Sequence, residues 1–183
     1  MQTGRRRIDM SKYSEAELRY CDPIAAGLIN DPEFRAWLVS GGQLGDRLAA
    51  ARLDPQMQRS LRSKVPDGDR WWFNYWAGSG TGIETDILMI FISPDGQRTA
   101  LHVEVKTEND GLRPGQAEGY QRRVKTWASP QTRPNSVPPH NQAFSVLVAG
   151  GLCLSDLREA MFDFTRSHAA LRNVLTNYPK AAH

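Results

Sequence analysis

Asp86, Glu104 and Lys106 are the residues whose types and spacing suit chemistry. They lie in ETDILMIFISPDGQRTALHVEVK, residues 84–106, where two apolar runs flank Pro94-Asp95-Gly96. A three-residue hairpin loop is usually a type I turn followed by a left-handed residue, commonly Gly, and these three residues fit in that order. Ser93 then faces Gln97. Counting outward, Asp86 faces Glu104 and Glu84 faces Lys106. Side chains alternate along a strand, so all four are expected on one face, with opposed Cβ atoms about 4.5–5.5 Å apart.

Like charges placed opposite one another destabilise a sheet. One explanation is a solvated face on which Lys106 neutralises the acids. The neighbours point elsewhere. Leu88, Ile90 and Ile92 continue the face of Asp86, and Ile87, Met89 and Phe91 occupy the other. A strand apolar on both faces is covered on both sides. Carboxylates at the end of such a sheet are costly unless paired. A divalent cation would relieve both the repulsion and the burial. With only oxygen ligands at hand, Mg²⁺ or Mn²⁺ suits the set better than Zn²⁺.

The elements that must position these groups are read from periodicity and punctuation. Residues 12–40 read as helical with breaks, Asp31 capping a piece that starts at Pro32. QLGDRLAAARL continues the helical region past Gly41-Gly42. RWWFNYWAG (70–78) reads as a strand, as do TDILMIFIS and TALHVEVKT. A helix follows Pro114. SPQTRPNSVPPHN holds four prolines and is a loop. QAFSVLVAGG is a strand. SDLREAMFDFTRSHAALRNVL reads as one closing amphipathic helix, with Ser155 as cap and Leu157, Met161, Phe164, Leu171 and Leu175 as its apolar stripe. The order of helix, three strands, helix, strand, helix predicts an α/β (α+β) core with a mixed β-sheet flanked by helices.

On these residues the chain resembles the PD-(D/E)XK nuclease superfamily. Asp86 matches the acid of the second core strand, although Thr85 stands where the family has proline. Glu104-Val105-Lys106 matches the second element. Gln116 and Tyr120 are spaced as in the QxxxY element of RecB-like nucleases. The resemblance covers roughly residues 70–150 and implies a restriction-endonuclease-like three-layer core. It also implies Mg²⁺-dependent hydrolysis of DNA phosphodiester bonds. Asp86, Glu104 and the carbonyl of Val105 would hold the metal, and Lys106 would position the attacking water or steady charge on the phosphate. Glu84 would be a further ligand or a partner of Lys106. Gln116 and Tyr120, one helical turn apart, would orient Lys106, a metal-bound water or a phosphate. Many members place an acid on the first core helix, and Glu33 and Asp46 are the candidates. A catalytically silent nucleic-acid-binding or structural subunit of this fold is the alternative, and a small metal-dependent phosphoesterase is another.

The remaining features set bounds. The chain has 183 residues, 23% charged and 40% hydrophobic, ordinary for one globular domain. A single domain over 1–183 is expected, with its core at about 30–175 and residues 1–11 flexible. No apolar run approaches the ~20 residues of a membrane helix. The two cysteines, Cys21 and Cys153, are far apart and without metal-ligand spacing, which fits a reducing cytoplasm and argues against a disulfide scaffold or a zinc site. A net charge of +3, much of it in Arg5, Arg6 and Arg7, is compatible with a polyanion. Arg122, Arg123 and Lys125 suit phosphate contact or a solvated helix face. Trp71, Trp72, Phe73, Tyr75 and Trp76 suit base stacking less well than strand packing, and His102 reads as a core histidine. The small size points to a homodimer or to a subunit of a larger nuclease complex.

Overall fold

The computed structural model of the protein describes residues 15–62, 70–76, 84–155 and 157–180. Three helices come first: α1 (Glu15–Asn30), α2 (Pro32–Leu38) and α3 (Gly42–Ala50). Asp31 caps α2 as its sequence demands, Oδ1 accepting from the amides of Glu33 and Phe34 at 2.9 and 3.1 Å. Then come β1 (Arg52–Leu53), α4 (Pro55–Ser60), β2 (Phe73–Trp76), β3 (Glu84–Ile92) and β4 (Arg98–Val105). After them follow α5 (Gln116–Thr126), β5 (Gln142–Ala149), α6 (Gly151–Leu154), a 3-10 turn (Leu157–Met161), β6 (Phe164–Ser167) and α7 (His168–Val174).

The strands make one mixed sheet in the order β1-β3-β4-β5-β6, with β2 also pairing β3. β1, β2 and β4 run antiparallel to β3, while β4, β5 and β6 are parallel. The hairpin loop forms as expected: Gly96 has φ 83, and Ser93 N–H reaches Gln97 O at 2.9 Å. That loop fixes the β3–β4 register, which runs from Ile92–Arg98 to Ile87–Val103.

Both faces of the sheet are buried. Ile87, Met89, Phe91, Val103, Val105 and Val148 pack under Tyr20, Ile24 and Leu28 of α1 and Phe34 and Leu38 of α2. On the opposite face Leu88, Ile90 and Ala100 meet Trp127, and Leu147 and Ala149 meet Ala117 and Tyr120 of α5. Each aliphatic side chain so buried contributes about 1.5–3 kcal/mol. The protein is therefore α/β, with helices on both sides of a mixed sheet.

Two buried polar side chains close gaps in this frame. Gln58 of α4 donates to Leu88 O at 3.0 Å and accepts from Ile90 N–H at 3.1 Å. It completes the edge of β3 between the stretches that β1 and β2 cover. Arg35 of α2, 7% exposed, donates to the carbonyls of Leu28, Ile29 and Ala51. The first two belong to the last turns of α1, where carbonyls lack helical partners.

The closing segment differs from its expected single helix. Leu157–Met161 is a 3-10 turn, Phe164–Ser167 pairs in parallel with β5, and the helix starts only at His168. Asp163 breaks the helical run by accepting from the Ser145 N–H and hydroxyl at 2.7 and 2.9 Å. Ser167, rather than Ser155, caps the helix, accepting from Ala170 N–H. The hydroxyl of Ser155 instead donates to Leu152 O.

Candidate active site

The regular β3–β4 ladder stops at Ile87–Val103, and the candidate site begins there. One step further a regular ladder would offer Val105 N–H the carbonyl of Thr85. Instead Val105 N–H donates to Oδ2 of Asp86 at 2.7 Å. The Tyr120 hydroxyl accepts from Asp86 N–H at 3.3 Å and lies 3.4 Å from Val103 O. A carboxylate and a phenol thus occupy the seam between the strands. Thr85 lies with its hydroxyl 3.5 Å from His102 Nδ1, on the face of Leu88. The expectation that strict alternation puts residues 84, 86, 104 and 106 on one face is therefore corrected at Thr85. The seam, not a common face, receives the Asp86 carboxylate.

Glu104 and Lys106 leave the end of β4 and are 1% and 4% exposed. Glu104 Oε1 accepts from Lys106 Nζ at 2.6 Å and from Gln116 Nε2 at 2.5 Å. The Gln116 amide is oriented from behind, its oxygen accepting from Arg113 N–H at 3.1 Å. Gly115, with φ 77, makes the turn that starts α5 and aims Gln116 and Tyr120 at the strand ends. The QxxxY pair therefore reaches both acids.

The charges are strongly linked. Burial pushes the Asp86 carboxyl well above the usual carboxylate range, and the charge of Glu104 pushes the same way. The Val105 N–H and the Lys106 ammonium oppose them. Burial alone would lower the Lys106 ammonium, but Glu104, then Asp86 and Glu17, outweigh it and hold it above its ordinary value. Burial, followed by Glu104 and Asp86, drives the Tyr120 phenol up.

Glu17 of α1 is the acid that sequence reading missed. Burial raises its carboxyl, Lys106 lowers it and Glu104 raises it again, which puts it in the same field. Glu33 and Asp46, the expected helical acids, are exposed on α2 and α3. The signal was present in α1: Glu17 stands one helical turn before a stripe of Tyr20, Cys21, Ile24 and Leu28, all 0% exposed, and on the same side. A carboxylate in line with an apolar helical stripe faces the core side. Glu84 is half-buried and pairs across to Trp76 of β2.

The other candidates fall outside the site. Trp71, Trp72 and Phe73 are core residues at 3–5% exposure, so they offer no stacking face. The side chains of Tyr75 and Trp76, and all of Arg5 to Arg7, lie outside the described residues. Arg123 is buried over the Tyr120 ring at 4.0 Å, whereas Arg122 and Lys125 are exposed. His102 is buried in the core.

Among the described residues, no three His, Cys, Asp or Glu side chains form a ready-made metal cluster. Two carboxylates at the strand ends fit Mg²⁺, which keeps several waters and is bound through one or two carboxylates plus substrate phosphate. The raised Asp86 carboxyl fits it too, since a cation would relieve the repulsion from Glu104. Among the described residues, no helix is long and apolar enough to cross a membrane. Comparison with family models, curated proteins and solved structures finds no match.

Proposed function

We propose that the protein is a metal-dependent nuclease that hydrolyses DNA phosphodiester bonds on a restriction-endonuclease-like core. The observation that carries this reading is the convergence of Asp86, Glu104 and Lys106 at the open end of a buried strand pair. Gln116 and Tyr120 close on the same point from the next helix. Asp86, Glu104 and the Val105 carbonyl would hold Mg²⁺ or Mn²⁺, with Glu17 beside them and Glu84 at the margin. The ion, when bound, supplies charge for the scissile phosphate and acidifies a water.

Lys106 is kept as an ammonium by Glu104, so it acts as a donor and a positive charge rather than as a base. It steadies the oxyanions of the phosphate as negative charge builds on them. Gln116 holds Glu104 in its rotamer. Tyr120 fixes the backbone of Asp86 and so the direction of its carboxylate. Arg122 and Lys125, exposed on α5, would meet the DNA backbone. A homodimer, or a place within a larger nuclease complex, is the expected working form.

Supercoiled plasmid, single-stranded and branched DNA, each with Mg²⁺, test the reading with wild type against Lys106→Ala. Wild type should cleave at least one substrate, and the variant should be slower by about 10²-fold or more. Binding without any Mg²⁺-dependent product would favour a catalytically silent subunit of the same fold. Turnover of mononucleotide esters without cleavage of polymers would favour a phosphoesterase.

A further inference from the structure

Lys106 is held by its backbone as well as by its ammonium. The parallel β4–β5 ladder ends at Val105–Val148, and Lys106 N–H still reaches Val148 O at 2.8 Å. Its carbonyl lies beyond that last pair. There Nε2 of His168 stands 2.7 Å away. A carbonyl only accepts, so Nε2 carries the proton. In the neutral ring Nδ1 is then a lone pair, and the Tyr178 hydroxyl sits 2.7 Å from it. His168 and Tyr178 are 1% and 6% exposed. Burial favours the neutral ring, against the pull of the Lys106 carbonyl and of Glu108.

The same cluster reaches α1. The Tyr20 ring lies 4.5 Å from that of His168 and 5.7 Å from that of Tyr178, centroid to centroid. Tyr20 is one helical turn from Glu17. Arg172 of α7 adds a second tie, donating to Pro179 O at 2.8 Å and pairing with Glu108 just past Lys106. The C-terminal segment is thereby fastened to the strand end that carries the candidate chemistry.

We propose that His168, oriented by Tyr178, is a positioning residue for Lys106: the chain of hydrogen bonds from Tyr178 through His168 to the Lys106 carbonyl sets where the ammonium stands against Asp86 and Glu104. The proposal rests on the reading of Lys106 as a catalytic group. Without His168 the carbonyl has lost the donor that fixes its peptide plane, and the plane can turn. A 1 Å displacement of a reacting group is enough to cost about 10²-fold in rate.

Full-length wild type, His168→Leu, His168→Gln and Tyr178→Phe test this by three readouts. The first is Mg²⁺-dependent DNA cleavage, with kcat and KM separated. His168→Leu should lower kcat by about 10- to 100-fold with KM little changed. His168→Gln should recover most of it, because its amide can donate to the carbonyl and accept from Tyr178. Tyr178→Phe should lower kcat by a smaller factor while keeping the melting temperature close to that of wild type. An unchanged kcat in folded His168→Leu, or a Gln variant no better than Leu, overturns the proposal. Should His168→Leu not fold, Tyr178→Phe decides by the same kcat criterion.

The second and third readouts do not need activity. Long-range nitrogen–proton correlation should find the wild-type His168 ring in the Nε2–H form, and the Lys106 Cε resonance should move in Tyr178→Phe. A ring protonated on Nδ1 alone, or an unmoved Lys106 resonance, overturns the relay. If wild type cleaves no DNA, the nuclease reading fails by itself, and these two resonances still judge the relay.

Discussion

Oδ2 of Asp86 accepts the Val105 amide at 2.7 Å, in the place where an uninterrupted ladder would use a main-chain carbonyl. An ionised carboxylate in this seam is held against burial and against Glu104. The folded protein therefore binds a proton at Asp86 more tightly than the unfolded chain does. That contribution to stability is present at low pH and is lost as pH rises from the ordinary value of 3.8 through the raised one. Asp86→Asn keeps an acceptor for Val105 and removes the charge. Without metal, in chelator, it should stabilise the protein at pH 8 by about 0.5–2 kcal/mol, and by less at pH 5. Part of the pH slope should survive, because Glu17 is raised as well. Melting curves at the two pH values check this, and a variant less stable than wild type at pH 8 contradicts it.

Glu17→Gln should reduce Mg²⁺-dependent cleavage by about 10- to 100-fold. Glu33→Gln and Asp46→Asn, on exposed helix positions, should leave it unchanged. Rates for the three variants on one substrate decide between Glu17 and the acids that sequence alone suggested. Equal rates for wild type and Glu17→Gln would remove Glu17 from the site.

Tyr120→Phe deletes the hydroxyl shared by Asp86 N–H and Val103 O. The loss should cost about 1–2 kcal/mol in denaturant unfolding. It should also weaken cleavage, because the Asp86 backbone loses its tether. Loss of stability with full activity would mean that the phenol serves the fold alone.

Arg35→Met keeps much of the side chain's length and removes every donor to the Leu28, Ile29 and Ala51 carbonyls. Buried acceptors left without partners cost about 1–3 kcal/mol each. A total loss of about 3 kcal/mol or more is expected in urea unfolding. A loss below about 1 kcal/mol would show that water replaces the guanidinium.

The β3–β4 register was legible because Pro94-Asp95-Gly96 permits one compact loop, and that loop fixes every facing pair as far as Ile87–Val103. The opened seam was not legible. It depends on Tyr120, whose hydroxyl arrives from α5, and strand periodicity carries no record of a side chain inserted from elsewhere. Glu17 was missed for a related reason. Residues 12–40 read as helical with breaks, and the core was expected to start at about residue 30. Yet α1 runs from Glu15 to Asn30 with Pro23 inside it. The burial of Tyr20, Ile24 and Leu28 on both sides of the proline outweighs the lost hydrogen bond. At the other end, Leu157, Met161, Phe164, Leu171 and Leu175 do match a helical period. Parallel pairing of Phe164–Ser167 with β5 is a tertiary choice that the period does not encode.

The amide of Gln58 carries a consequence for how copies of this chain behave toward one another. Ile87–Ile92 is an uncharged run of strong strand formers, the kind of segment that recruits an identical segment into intermolecular cross-β stacks when its backbone is open. A single side chain from α4 occupies the open groups of Leu88 and Ile90. Gln58 therefore satisfies, from far along the chain, the two main-chain groups that such pairing would need.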